Sequence, residues 1–196
     1  MKSENLKTTV GWGREDGTLG AFEFLAMNNP VKRFFHKHLE LRIFKDFLNR
    51  HNLDIEGKEI MDAGCGSGYS SRLILREFAP SRLFAFDLMP EQIELARQNN
   101  PEIEFFIGSM TDIDAGDESF DAAFVFGVLH HIKIWRAAVK EVARVLKPKG
   151  VLLVEEPRVG FTWPEFEEGI EASGLTMLDF RKFFFGYFRS YIWQKP

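Results

Sequence analysis

At 196 residues the chain has room for one sizeable hydrophobic core and not for two independent ones, so a single domain is expected. Its 45% hydrophobic and 28% charged residues exclude a disordered or fibrous protein, and a net charge of −4 gives no electrostatic footprint for a nucleic-acid partner. Residues 1–7 lack the apolar core of a signal peptide and no stretch nears the ~18 apolar residues that span a bilayer, which predicts a cytoplasmic protein without a membrane span. Cys65 is the single cysteine, so an internal disulfide and a cysteine metal cluster are excluded.

In chain order, residues 1–29 read as an irregular arm punctuated by Gly11, Gly13, Gly17 and Gly20. Apolar residues at spacings of three and four then mark an amphipathic helix over 31–50, opened by Pro30. This arm and helix (1–50) are expected either to pack on the sheet or to form a lid. His36, His38 and His51 read as surface or packing residues. A strand is predicted over 58–63, a helix over 69–78, a strand over 82–87 ending on an acid, and a helix from Pro90 to the Asn99-Asn100 pair. Strands follow at 103–107 and 120–126, then a helix over 134–146 ended by Pro148 and Gly150, and a strand over 151–154 stopping at Glu155-Glu156. A helix over 164–172 and two strands, 175–185 and 187–193, close the chain, with Phe183-Phe184-Phe185 expected to pack at a sheet edge. Strands alternating with helices predict a Rossmann-like α/β three-layer sandwich: a seven-stranded, mainly parallel sheet with one antiparallel strand. The units are an arm and helix (1–50), a central core (58–157) and a closing helix with its strand pair (164–196).

The informative stretch is Asp62-Ala63-Gly64-Cys65-Gly66-Ser67-Gly68, where an apolar strand meets a glycine-rich turn and a helix start. Glycines at alternate positions let a flat polar ligand lie directly on peptide planes. Cys65, inside the turn, reads as a small tolerated side chain and not as a reactive thiol. Asp87 ends the second strand 19 residues after Gly68, the spacing at which a carboxylate reaches the ribose hydroxyls of an adenosine-type ligand.

The pattern is G-x-G-x-G after an acid, not the G-x-G-x-x-G of dinucleotide-binding folds. Together with Phe86-Asp87-Leu88-Met89-Pro90, Ser119-Phe120-Asp121, Val128-Leu129-His130-His131 and Val145-Leu146-Lys147-Pro148-Lys149-Gly150, it resembles the class I S-adenosylmethionine-dependent methyltransferases. The subgroup it is most similar to is the small-molecule type that includes ubiquinone and menaquinone biosynthesis enzymes. The resemblance covers residues 58–157. It implies that Asp62 and the turn (Gly64, Cys65, Gly66, Gly68) carry the methionine part of S-adenosyl-L-methionine, that Asp87 holds the ribose, and that Leu88 or Met89 lies against the adenine. It implies that Phe126 and Gly127 pass beside the methionine tail. Relatives usually place an acid directly after the third-strand glycine; here Ser109 stands there, so Ser109, the backbone of Met110, or Asp112 reaching back takes the adenine contact.

Methyl transfer needs the acceptor in line with the methyl–sulfur bond and requires no metal. A hydroxyl acceptor gains from a base, for which His130 and His131 are candidates beside a structural role at the strand end. Glu155 and Glu156 read either as acceptor contacts or as a solvated loop, and Lys140, Arg144, Lys147 and Lys149 as solvated charges. The expectation is a methyltransferase acting on a small organic acceptor. Its rivals are a nucleic-acid or protein methyltransferase on the same fold, a non-catalytic S-adenosylmethionine-binding partner subunit, and, disfavoured by the glycine spacing, a nicotinamide-dependent oxidoreductase.

Overall fold

The computed structural model describes residues 39–196. Seven strands, β1 (Glu59–Ala63), β2 (Arg82–Asp87), β3 (Phe105–Ile107), β4 (Phe120–Phe126), β5 (Leu146–Pro157), β6 (Thr176–Phe183) and β7 (Phe188–Gln194), form one sheet in the order β3-β2-β1-β4-β5-β7-β6. The pairs from β3 across to β5 are parallel, and β7 runs antiparallel to both β5 and β6. One reversed strand in a parallel sheet is the predicted arrangement. The order reverses between β1 and β4, and in open α/β sheets the region outside the carboxyl ends at such a reversal is where ligands bind.

Side-chain alternation divides the core into two layers. Met61, Ala63, Ala123, Val125, Leu152, Val154, Tyr191 and Trp193 face α4 (Trp135–Val145) and α5 (Trp163–Glu171). Ile60, Ala122, Phe124, Phe126, Val151, Leu153 and Ile192 face α1 (Leu41–Arg50) and α2 (Tyr69–Phe78). An aromatic chain runs through this second layer, with Phe44 5.9 Å from Phe124 edge-on and Phe124 stacked 5.8 Å from Phe126. α3 (Pro90–Asn99) buries Ile93 and Ala96 with Cys65, Ala85 and Phe105.

Local chemistry sets most boundaries. Pro90 opens α3, a Thr162–Glu165 capping box opens α5, and Ala79, at φ 41°, ends α2 before Pro80. Three predicted boundaries move. β3 starts at Phe105 because Ile103 N–H folds back onto the Asn100 carbonyl at 3.1 Å. β5 starts at Leu146, pairing with Phe120 before an irregularity at Ala122, so Pro148 and Gly150 lie in a strand distortion beyond the end of α4 at Val145. The β6–β7 connection is a short 3-10 turn, Phe184–Gly186. There Phe183 stacks on Phe188 at 5.5 Å, whereas Phe185 stands fully exposed at φ 55°, so the expected three-phenylalanine cluster loses its last member.

The basic residues at the end of α4 are less solvated than expected. Arg144 donates to Glu141, Asp117 and the carbonyls of Ile113 and Ala115, and Lys147 bridges Glu59 and Asp121 at 2.8 and 2.9 Å. Of the arm and helix predicted over 1–50, the described part is α1, whose Leu41, Ile43, Phe44, Phe47 and Leu48 pack under the sheet. The lid reading, His36 and His38 lie outside the described residues. His51, just after α1, is 3.5 Å from Asp179. No helix among the described residues is long and apolar enough to cross a membrane.

Candidate functional site

The site forms where the loops after β1, β2, β3 and β4 meet. Leaving β1, Gly64 N–H and Cys65 N–H both donate to the Phe86 carbonyl at 2.9 Å, which folds the glycine turn over the end of β2. Gly64, Gly66 and Gly68 take φ of 76°, 52° and 79°, in the left-handed region that favours glycine. Packing adds a second requirement. A Cβ on Gly64 would lie 2.5 Å from Val128 Cγ2, and one on Gly68 2.6 Å from Asn100 Nδ2.

Asp87 ties two of these loops together. Its Oδ2 accepts from Gly66 N–H and its Oδ1 from Met89 N–H, each at 2.9 Å. Burial pushes its acidity constant above the ordinary 3.8, outweighing the N–H donors of Met89, Gly66 and Leu88. Beside it Leu88 is 40% and Ile107 57% exposed, leaving bare apolar surface at the carboxyl ends of β2 and β3. Asp62, buried at the end of β1, accepts from Ser70 Oγ at 2.8 Å and Ser71 Oγ at 2.6 Å, anchoring the first turn of α2. Cys65 is buried, and its thiol is pushed well up by burial, then by the charges of Asp62 and Asp87. It is therefore a protonated, inert packing group in a negative field.

After β3, Ser109 Oγ shares a 2.8 Å hydrogen bond with Thr111 Oγ1, and Asp112 N–H donates to the Ser109 carbonyl at 3.2 Å. Met110 is buried in the layer under α4, so only its backbone remains for the loop. After β4, Phe126 is buried and Gly127, at φ 63°, donates to the Glu155 carbonyl at 2.7 Å. Val128 and Leu129 N–H groups donate to Glu156 Oε1 at 2.8 and 2.7 Å, and His130 Nδ1 lies 2.7 Å from Glu156 Oε2. The His131 ring lies tilted by 41° against that of His130, with centroids 3.9 Å apart.

The predicted residues thus fall into two groups. Asp62, Gly64, Cys65, Gly66, Gly68, Asp87, Leu88 and Met89 gather at the ends of β1 and β2, with Ser109 and Met110 at the neighbouring β3 end. Phe126, Gly127, His130 and His131 stand on the other side of the glycine turn, touching it through Val128. The solvated-loop reading of Glu155 and Glu156 is wrong: both lie within β5 and are 2% and 0% exposed. Sequence reasoning also missed Ser70, Ser71 and Asn100; the last donates to the Gly68 carbonyl at 3.3 Å. The signal for Glu156 was an acid inside an otherwise apolar strand run, Val151-Leu152-Leu153-Val154, carried straight into Pro157.

The donor set suits S-adenosylmethionine. Asp87 presents a carboxylate for a ribose diol, Leu88 and Ile107 offer an apolar rest for an adenine, and the acids flanking Cys65 complement a sulfonium and an ammonium.

Residues 61–154 match the family model described as Methyltransferase domain. The chain is 31% identical over 148 residues to a fatty-acid O-methyltransferase of Mycolicibacterium smegmatis, covering 69% of this chain and 54% of that protein. It is 33% identical over 107 residues to a ubiquinone biosynthesis O-methyltransferase of Xanthomonas oryzae, covering 52% and 44%. The chain thus spans about half the length of the curated relatives it matches. A crystal structure of a SAM-dependent methyltransferase from Aquifex aeolicus superposes with a TM-score of 0.74 at 15% identity, covering 90% of this chain and 98% of that one, a likeness of fold.

Proposed function

We propose that this chain, which carries a class I S-adenosylmethionine-dependent methyltransferase domain, transfers the methyl group of that cofactor to a small organic acceptor. The observation that carries the reading is the doubly held Asp87 carboxylate, fixed by Gly66 and Met89 at the carboxyl end of β2 beside the glycine turn. In this reading Asp87 takes the ribose, Leu88 or Met89 the adenine face, and the loop from Ser109 to Met110 the adenine edge. Asp62 and the turn of Gly64, Cys65, Gly66 and Gly68 take the amino-acid portion, with Phe126 and Gly127 beside it. The bound cofactor supplies an electrophilic methyl on a cationic sulfur. The protein's part is to hold the acceptor atom in line with it, and such positioning lowers a barrier by ~7–11 kcal/mol. His130 or His131 takes the proton that a hydroxyl acceptor must lose.

The relatives' names point to fatty acids and to ubiquinone biosynthesis, which favours a small organic acceptor, and the net charge of −4 disfavours a nucleic-acid acceptor. The test is methyl transfer from radiolabelled cofactor to a panel containing octanoate, catechol and bulk RNA. Label entering octanoate or catechol supports the proposal. Label entering RNA alone, or no transfer to any acceptor, overturns it.

A further inference from the structure

We infer that the β6–β7 turn is a docking tip for the surface of an anionic lipid bilayer, with Phe184, Phe185 and Tyr187 entering the headgroup boundary and Lys182 and Arg158 meeting lipid phosphates. The ten residues from Phe180 to Arg189 hold six aromatics, three cations and no acid, in a chain whose net charge is −4. Phe184, Phe185 and Tyr187 are all exposed, and a Cβ on Gly186 among them would meet nothing within 4 Å, so the tip protrudes. An exposed apolar residue standing singly needs no explanation, but three within one turn form a patch.

The turn holds its rings outward by construction. Phe184 and Phe185 take φ of 47° and 55°, a conformation that bulky side chains rarely adopt. Two hydrogen bonds fix it there: Trp163 Nε1–H donates to the Gly186 carbonyl at 3.1 Å, and Arg158 N–H to the Tyr187 carbonyl at 2.7 Å. Phe183, stacked on Phe188, closes the base. Nothing within the chain buries the Phe185 ring that this conformation holds out. Backbone strain persists where the surroundings over-determine it, and it gathers at functional surfaces.

The charges select the kind of surface. Arg181 pairs with Asp46 and Arg189 with Glu167, whereas Lys182 and Arg158 are exposed and form no ion pair among the described residues. Lys182 also stands directly across from Arg189, a like-charge pairing that costs a sheet stability and that an outside anion relieves. Exposed rings between cations suit a lipid interface, where the rings bury apolar area at the acyl boundary and the basic side chains reach up to the phosphates. A second copy meeting tip to tip would set the same cations against each other. Acids elsewhere on the chain are screened beyond about 10 Å at about 0.1 M salt, so the tip sets the local attraction. Phe188 pairs with Pro157 at the end of β5, which puts the tip at the carboxyl edge of the sheet, the edge that carries the glycine turn and Asp87. A chain docked by this tip turns that edge toward the lipid.

The test is flotation of the full chain with vesicles of phosphatidylcholine alone and of phosphatidylcholine mixed about two to one with phosphatidylglycerol. The chain is expected to bind the mixed vesicles about tenfold or more tightly than the neutral ones, and less as salt is raised. Phe185→Asn should weaken that binding about tenfold through the lost ring burial, and Lys182→Gln about fivefold. Asparagine accepts the left-handed φ, so Phe185→Asn should unfold in urea at or above the wild-type midpoint, which separates lost binding from lost folding. No binding to the mixed vesicles, equal binding to both kinds, or binding untouched by the two variants overturns the inference. So does a lipid-free dimer in sedimentation that Phe185→Asn disperses, because the tip is then a contact between copies. None of these readouts uses cofactor or turnover, so their failure and that of the proposed function are distinguishable.

Discussion

Replacing Gly64 by alanine tests how tightly the glycine turn is built into the fold. The new Cβ lies 2.5 Å from Val128 Cγ2 and 2.8 Å from Cγ1, at a φ of +76° that side chains rarely adopt. The backbone term costs roughly 1–2 kcal/mol. Overpacking adds about 1–3 kcal/mol when neighbours cannot retreat. Val128 cannot retreat easily, because its N–H and that of Leu129 are held by the buried Glu156. Gly64→Ala is therefore expected to lose about 2–5 kcal/mol, which a domain of ordinary stability survives. Val128→Ala removes both clashing methyls and leaves the Cβ at 3.2 Å, tight but adjustable. In the double variant the steric part is recovered and the φ cost stays, giving a coupling of about 1–3 kcal/mol in urea unfolding followed by circular dichroism. Additive single losses, within about 0.5 kcal/mol, would refute the packing account of this glycine.

Three further outcomes follow from the same geometry. The Cys65 thiol, buried and pushed up in its acidity constant, is expected to react with a disulfide reagent only on unfolding, so labelling at neutral pH should track urea denaturation; rapid labelling of folded protein contradicts the burial. Asp87 has a raised folded value, so it adds no stability at neutral pH; the folded chain takes up this proton at a pH where the unfolded chain has released it. Cofactor affinity should accordingly decline as pH is lowered through that raised value, and a flat profile down to 3.8 contradicts it. The hydrogen bond from Arg144 holds Glu141 below its ordinary 4.5, so its contribution is present above 4.5 and is lost as pH falls through the lower folded value. Arg144→Gln should lower the urea midpoint near neutral pH, with the gap to wild type narrowing below 4.5; a gap independent of pH refutes the pairing.

How much was legible in the sequence follows from where each signal came from. β1, β2 and β4 match the predicted ranges closely because most of their residues are buried and they read as mainly apolar runs that end on an acid or run into a glycine. The glycine turn and Asp87 were legible because backbone permissiveness and acid spacing are local properties. β5 was read too short because its first residues owe their strand form to pairing with Phe120 across a distortion, with Lys149 at φ 66°, which no local propensity encodes. Glu156 was misplaced for the same reason: its partners lie 26 to 28 residues back along the chain, and an acid at a strand end is usually solvated. Phe185 erred in the other direction, an apolar residue that a tight turn turns outward.

The cofactor assignment stands most directly on calorimetric titration of the chain and of Asp87→Ala with S-adenosylmethionine, S-adenosylhomocysteine and NAD. The account predicts saturable binding of the first two and none of NAD. Asp87→Ala should weaken the adenosyl ligands about 10- to 100-fold, as charged hydrogen bonds of ~1.5–3 kcal/mol are lost. Folded protein that binds no adenosyl ligand, or binds equally well without Asp87, would contradict it.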